Sequence, residues 1–93
     1  MNRKRSCDVI ISQILEVCVG GANKTKIVYQ SNLNFTTVNP YLDLLSNRGL
    51  LEASRGEHVV YKTTAEGVKL MNSFKHHQSE ISKLFDLLEN AFA

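Results

Sequence analysis

From Lys24 to Thr63 the chain passes through four patterns whose order leaves few folds open. Lys24–Ser31 (KTKIVYQS) reads as a short helix with Ile27 and Val28 turned inward. Asn32-Leu33-Asn34 is a polar turn around one apolar residue. Phe35–Arg48 reads as a second helix, its buried face formed by Val38, Leu42 and Leu45 at i, i+4 and i+7 with Tyr41 alongside. Two strand-like runs follow, LLEAS and HVVYKTT, hinged at Arg55-Gly56-Glu57. A lone hairpin of this length is unstable in water, so it must pack on the helices.

The element ends carry their own signals. Asn23 or Thr25 can cap the first of these helices, and Asn34 can cap the second. Gly49 suits the left-handed position after that second helix, where Leu50 would touch Leu45 in a Schellman ending. Pro40 admits two solutions. A helix starting after Asn34 places it in the interior at the loss of a hydrogen bond, whereas a start after Thr37 leaves it in the tolerant first turn. On the return strand Val59, Tyr61 and Thr63 face one way and His58, Val60 and Lys62 the other. Gly56 is free to take positive φ in the turn.

Helices flank this segment. The first is expected from Ser6 to Val19, with Val9, Ile10, Ile14, Val17 and Cys18 as its apolar stripe and Ser12, Gln13 and Glu16 outside, stopped by Gly20-Gly21. Cys7 and Cys18 lie eleven residues apart on it, roughly 16 Å at helical rise, too far for a disulfide. Both are expected to be small apolar core residues in a reducing compartment. Asp8, Gln13 and Glu16 interrupt the run that would otherwise imitate a secretory signal. No stretch approaches the ~18 apolar residues of a membrane span, so a cytoplasmic protein is expected.

The last helix is expected from Thr64, its cap, to about Phe92, roughly 43 Å long at helical rise. Glu66 complements its start, and Gly67 permits close approach to the core. Met71, Phe74, Gln78, Ile81, Phe85, Leu88 and Phe92 recur at 3-4 spacing, a coiled-coil seam with one polar break, widened by Leu84 and Leu87. Such a stripe calls for a partner helix, most simply from a second copy of the chain. The expected fold is mainly α (α+β): a winged helix-turn-helix domain over 1–63 and a long dimerisation helix over 64–93.

A helix-turn-helix with a hairpin wing reads nucleic acid because its second helix fits the ~12 Å major groove. The formal charge is only +2, yet residues 1–63 carry eight Lys/Arg against five Asp/Glu while 64–93 carry three against four. The basic excess lies on the expected reader, favouring a polyanion. Candidate phosphate contacts are Arg3, Lys4 and Arg5 as an N-terminal arm, Lys24 and Lys26, Arg48, and Arg55 and Lys62 on the wing. Candidate base readers are Thr36, Thr37, Asn39 and Asp43, with Asp43 equally able to repel phosphate. Tyr29 and Gln30 could touch phosphate, although Tyr29 fits better as a half-buried packing residue. His76-His77 point ~100° apart on a helix and no cluster completes a metal set, so no metal or cofactor is expected. His58 and these two are expected at the surface. No phosphate loop, paired carboxylates or nucleophile–base motif suggests an enzyme. A protein-interaction adaptor without DNA binding is the alternative, consistent with the modest charge, Asp43 and Glu57.

The segments KTKIVYQSNLNF, PYLDLLSNRGLLE and YKTTAEGVKLM, after the basic start NRKRS, resemble small archaeal winged-helix DNA-binding proteins of the Sso-ten-a type. The resemblance spans essentially the whole chain. It is most specific at Lys24-Thr25-Ile27-Tyr29, Phe35, Tyr41-Leu42-Leu45 and Thr64-Gly67. It implies a non-enzymatic homodimer joined by an antiparallel coiled coil, binding duplex DNA with lax sequence preference as a nucleoid-associated protein or regulator. No small-molecule effector is evident in the sequence. The chain differs in being less basic and in having Pro40 where a helix-forming residue is expected.

Overall fold

The computed structural model describes the backbone of residues 7–92 and the side chains of that span except at positions 82, 85 and 88–92. The order is α1 (Cys7–Val17), α2 (Lys24–Ser31), α3 (Phe35–Asn47), β1 (Leu51–Arg55), β2 (Val59–Thr63) and α4 (Ala65–Phe92). The expected helix-turn-helix and hairpin are thus in place within a mainly helical fold. Ile10, Ile14, Leu15, Cys18, Ala22, Ile27, Val38, Leu42, Leu45, Leu51 and Met71 form one core drawn from every helix and the first strand. Ile14, Leu15, Ile27, Leu42 and Leu45 are its fully buried large side chains, each stabilising by about 1.5–3 kcal/mol.

Helix α1 departs from the expected stripe. It stops at Val17 rather than Val19, and Val19 is exposed. Leu15 is fully buried, and Ser12, expected outside, is also buried. The reason is that α1 is covered on two sides. One face meets α2 and the core; another meets α4, where Ile11 and Ser12 line a narrow groove with Leu70 and Phe74. Glu16 reaches Lys75 of α4 at 3.4 Å. Cys18 is buried as expected but Cys7 is exposed, and both thiols are free.

The α1–α2 connection does more than stop a helix. Gly21 adopts φ +90, which lets Ala22 run alongside β2 and exchange two hydrogen bonds with Tyr61, 2.9 and 2.8 Å long. Ala22 therefore acts as a one-residue third strand. Thr63 closes the same corner: its N–H donates to the Cys18 carbonyl at 3.0 Å and its hydroxyl to the Leu15 carbonyl at 2.5 Å. That satisfies a buried O–H donor that would be costly to leave without an acceptor.

Both short helices are fixed at both ends. Asn23 caps α2, accepting from the Lys26 N–H at 2.8 Å, and Asn34 caps α3, accepting from the Thr37 N–H at 2.7 Å. Between them Asn32 takes the left-handed conformation (φ 54, ψ 49), and the Leu33 N–H returns to the Val28 carbonyl at 3.1 Å. This is a Schellman ending with asparagine where glycine is commoner. Helix α3 ends likewise: Gly49 sits at φ +72, with Leu50 N–H to Leu45 O at 2.9 Å and Gly49 N–H to Ser46 O at 3.2 Å. Because α3 begins directly after Asn34, Pro40 lies inside it, and the Thr36 carbonyl has no i+4 amide to accept from.

In the hairpin Leu51 pairs with Thr63, Ala53 with Tyr61 and Arg55 with Val59. The turn is Gly56-Glu57-His58, and the expected positive φ at Gly56 is absent, the positive-φ glycines being Gly21 and Gly49. A three-residue loop spreads the reversal over more bonds than a two-residue turn. Thr64 then caps α4: its hydroxyl accepts from the Gly67 N–H at 3.1 Å and donates to the Gly49 carbonyl at 2.6 Å. A Cβ at Gly67 would collide with the Leu50 carbonyl oxygen and sit 2.7 Å from the Thr63 methyl, so this close approach requires glycine.

The first turns of α4 belong to the head. Met71, expected in an intermolecular seam, is buried in the head core instead, with Val68 packed beside it. Phe74 is half-buried against α1. Further along, Gln78 is exposed, and Ile81, Leu84 and Leu87 are 39%, 57% and 67% exposed. The side chains of Phe85, Leu88 and Phe92 lie outside the described residues. No helix among the described residues is long and apolar enough to cross a membrane.

Candidate nucleic-acid interface

Helix α3 buries Val38, Leu42 and Leu45. At about 100° per residue the opposite side must carry Thr36, Pro40, Asp43 and Asn47, with Asn39 on its flank. All five are exposed. Thr37 lies nearer the core side, half-buried, and its amide is engaged by the Asn34 cap. Of the expected base readers, Thr36 and Asn39 are therefore presented outward and Thr37 less so. Asn47 and Pro40 join the face unforeseen; the helical wheel alone could have found Asn47, four residues beyond Asp43.

Arg48 is exposed at the α3 cap, its amide bonded to the Leu44 carbonyl at 3.1 Å. Lys24 and Lys26 occupy the first turn of α2, Lys26 exposed and Lys24 half-buried. The wing loop comes up to this helix start. Asn23, Lys24 and Thr25 line one open groove with Glu57, His58, Val59 and Tyr61. The α2 N-terminus, with the partial positive charge of its first turn, thus shares a surface with the wing tip. Glu57 places one carboxylate in the same groove.

The hairpin register separates the two wing cations. Side chains alternate across a strand, and directly paired residues share a face. Arg55 therefore lies with Val59, Tyr61 and Ala53 on the face that lines the groove toward α2. Lys62 lies on the opposite face, directly across from Glu52. The expected wing pair is thus one groove-side arginine and one lysine with an acidic neighbour. Arg3, Lys4 and Arg5 lie outside the described residues.

Tyr29 reverses its expectation as a packing residue. It is 86% exposed on α2, one turn from Lys26, because Ile27, Val28 and Ser31 fill the inward side of so short a helix. Tyr41, by contrast, packs on the core, and hydrogen bonding toward the neighbouring Cys7 thiol raises its phenol pKa, with burial adding to it. Burial pushes the Cys18 thiol up to about 11, only partly offset by the Lys26 charge. His58, His76 and His77 are exposed, and His76 Nε2 lies 3.0 Å from Glu80. Among the described residues no group of three or more His, Cys, Asp or Glu is placed to hold a metal ion.

Known structures share this architecture. The DNA-binding protein Sso10a-2 of Sulfolobus solfataricus superposes with a TM-score of 0.86 at 23% identity, covering 94% of this chain and 93% of its own. An apo form of ZitR from Lactococcus lactis gives 0.69 at 19% identity, over 92% of this chain and 66% of that one. BpsR of Bordetella bronchiseptica, whose DNA binding is regulated by 6-hydroxynicotinic acid, gives 0.70 at 18%, over 86% and 64%. The chain thus spans about two thirds of the latter two. At these identities the likeness is one of fold. No curated protein sequence matches the chain. The family model for winged helix-turn-helix proteins matches residues 4–82, most of the described fold. On that match and the geometry above, the chain belongs to the winged helix-turn-helix family.

Proposed function

We propose that this chain is a homodimeric, non-enzymatic DNA-binding protein that acts on duplex DNA as a transcription regulator or nucleoid-associated protein. One observation carries the reading. The second helix of the helix-turn-helix turns Thr36, Asn39, Asp43 and Asn47 outward, uncovered by the other described residues, beside a groove where a helix N-terminus and an arginine-bearing wing converge. Thr36, Asn39, Asp43 and Asn47 can meet base edges. Lys24, Lys26, Arg48 and Arg55 neutralise phosphate, helped by the arm at Arg3, Lys4 and Arg5. Lys62, paired across from Glu52, contributes less than Arg55.

Self-association rests on the far half of α4. Ile81, Leu84 and Leu87 leave an apolar strip in solvent, and Phe74, Gln78, Phe85, Leu88 and Phe92 continue the seam in sequence. A second copy laid along it would remove that strip from water. Met71 is not available for this role, being held in the head.

Fluorescence anisotropy with random duplex at several salt concentrations tests the DNA reading. Binding should weaken with salt at a log–log slope of about −0.9 per neutralised phosphate. Absence of binding at low salt would remove it. The exposed Tyr29 favours a second reading, a protein-interaction module. That reading requires a Tyr29→Ala variant to lose a protein partner while DNA plays no part.

A further inference from the structure

Helix α3 carries no lysine or arginine between Phe35 and Asn47. Its outward face is neutral apart from Asp43, which lies one turn from Asn39 on one side and Asn47 on the other. Among the described residues no hydrogen bond or ion pair engages the Asp43 carboxylate. Among the described residues the basic candidates lie off this face: Lys24 and Lys26 at α2, Arg48 at the cap, Arg55 and Lys62 on the wing. A helix built for indiscriminate phosphate binding would put cations here. This one puts an anion at the centre.

Resting on the reading of α3 as the DNA-contacting helix, we infer that Asp43 is a specificity-determining residue that admits α3 to the major groove only where a base amino group faces it. An ionised carboxylate only accepts hydrogen bonds. In the major groove cytosine N4 and adenine N6 are donors, whereas guanine O6 and N7 and thymine O4 are acceptors. Opposite cytosine or adenine, Asp43 exchanges its water for a base donor. Opposite guanine or thymine it loses water and meets only acceptors, with phosphates on either side, so the contact is penalised. The amides of Asn39 and Asn47 can donate and accept, and adapt to either class of base. Selectivity then resides on α3 and affinity on its flanks, which makes the protein a sequence-selective binder rather than a uniform coat on DNA.

The test is binding-site selection by the full chain from randomised duplexes, repeated with Asp43→Asn and Asp43→Ala, followed by competition between the selected duplex and a scrambled one. Both substitutions are at an exposed position, and thermal melts confirm that the fold is kept. The expected wild-type motif has a position restricted to cytosine or adenine. In Asp43→Asn that restriction disappears and the preference for the selected duplex falls roughly tenfold, within the range of a good base contact, mainly through tighter binding to scrambled DNA. An unchanged motif with equal shifts on both duplexes would overturn the inference, as would a wild-type protein that binds duplex but selects no motif. A wild-type protein that binds no duplex at low salt would instead overturn the DNA reading itself.

Discussion

Arg55 and Lys62 are both exposed wing cations, and residue type alone treats them as equals. Three positions of register separate Arg55 from Glu52, so Lys62, opposite Glu52, faces away from Arg55. Arg55→Ala is expected to flatten the log–log salt slope of DNA binding by about 0.9, one phosphate contact, and Lys62→Ala to change it by less than half of that. Equal effects would show that the wing meets DNA edge-on. Cys18 makes a separate prediction about stability. Its thiol titrates near 9.0 unperturbed and at about 11 in the folded chain. Between these values the unfolded chain has released a proton that the folded chain keeps, so stability falls as pH rises through that window and is unaffected below it. Chemical denaturation of wild type and Cys18→Ala at pH 8 and pH 10 checks this: the wild type should lose more stability across the interval than the variant.

At the scale of elements, α3 holds two opposed contributions. Its Leu42 and Leu45 are almost wholly buried, and Asn34 and Gly49 fix its ends. Pro40 works against it by leaving the Thr36 carbonyl without an amide donor. Pro40→Ala is therefore expected to raise stability by about 1–3 kcal/mol, since proline is about 3 kcal/mol worse than alanine inside a helix. A melting temperature that falls instead would mean that the proline ring makes packing contacts worth more than the missing bond. The elements themselves were legible in the sequence because their signals are local. Asn34, Gly49 and Thr64 act within one turn of where they stand, and the 3-4 spacing of Val38, Leu42 and Leu45 marks a buried face directly. What stayed hidden depends on contacts between distant segments. Ser12 is buried because α4 crosses α1, Ala22 pairs with Tyr61 as a one-residue strand, and Met71 fills the head because Gly67 lets α4 approach Leu50 so closely. The candidate site was legible as a face of α3. The exposure of Tyr29 and the division of the wing cations required the packing of α2 and the hairpin register.

For the whole molecule, α4 links two tasks. Its first turns complete the head, through Gly67, Val68 and Met71, while its 28 residues extend roughly 42 Å, past the end of that core. A partner copy on the outer half would hold two heads at a fixed separation and let two weak interfaces act as one. Leu84→Glu with Leu87→Glu is expected to convert the protein to a monomer by sedimentation, with helix content preserved and DNA affinity lowered at least tenfold through lost avidity. A wild-type protein that sediments as a monomer would leave the exposed strip for another partner. The most direct measurement of the central claim is a titration of the isotope-labelled full chain with duplex DNA, followed by amide chemical shifts. The account predicts that the largest changes fall on α3 at Thr36, Asn39, Asp43 and Asn47, on Lys24 and Lys26, and on the wing around Arg55. Changes confined to Tyr29 or the outer part of α4, with α3 silent, would contradict it.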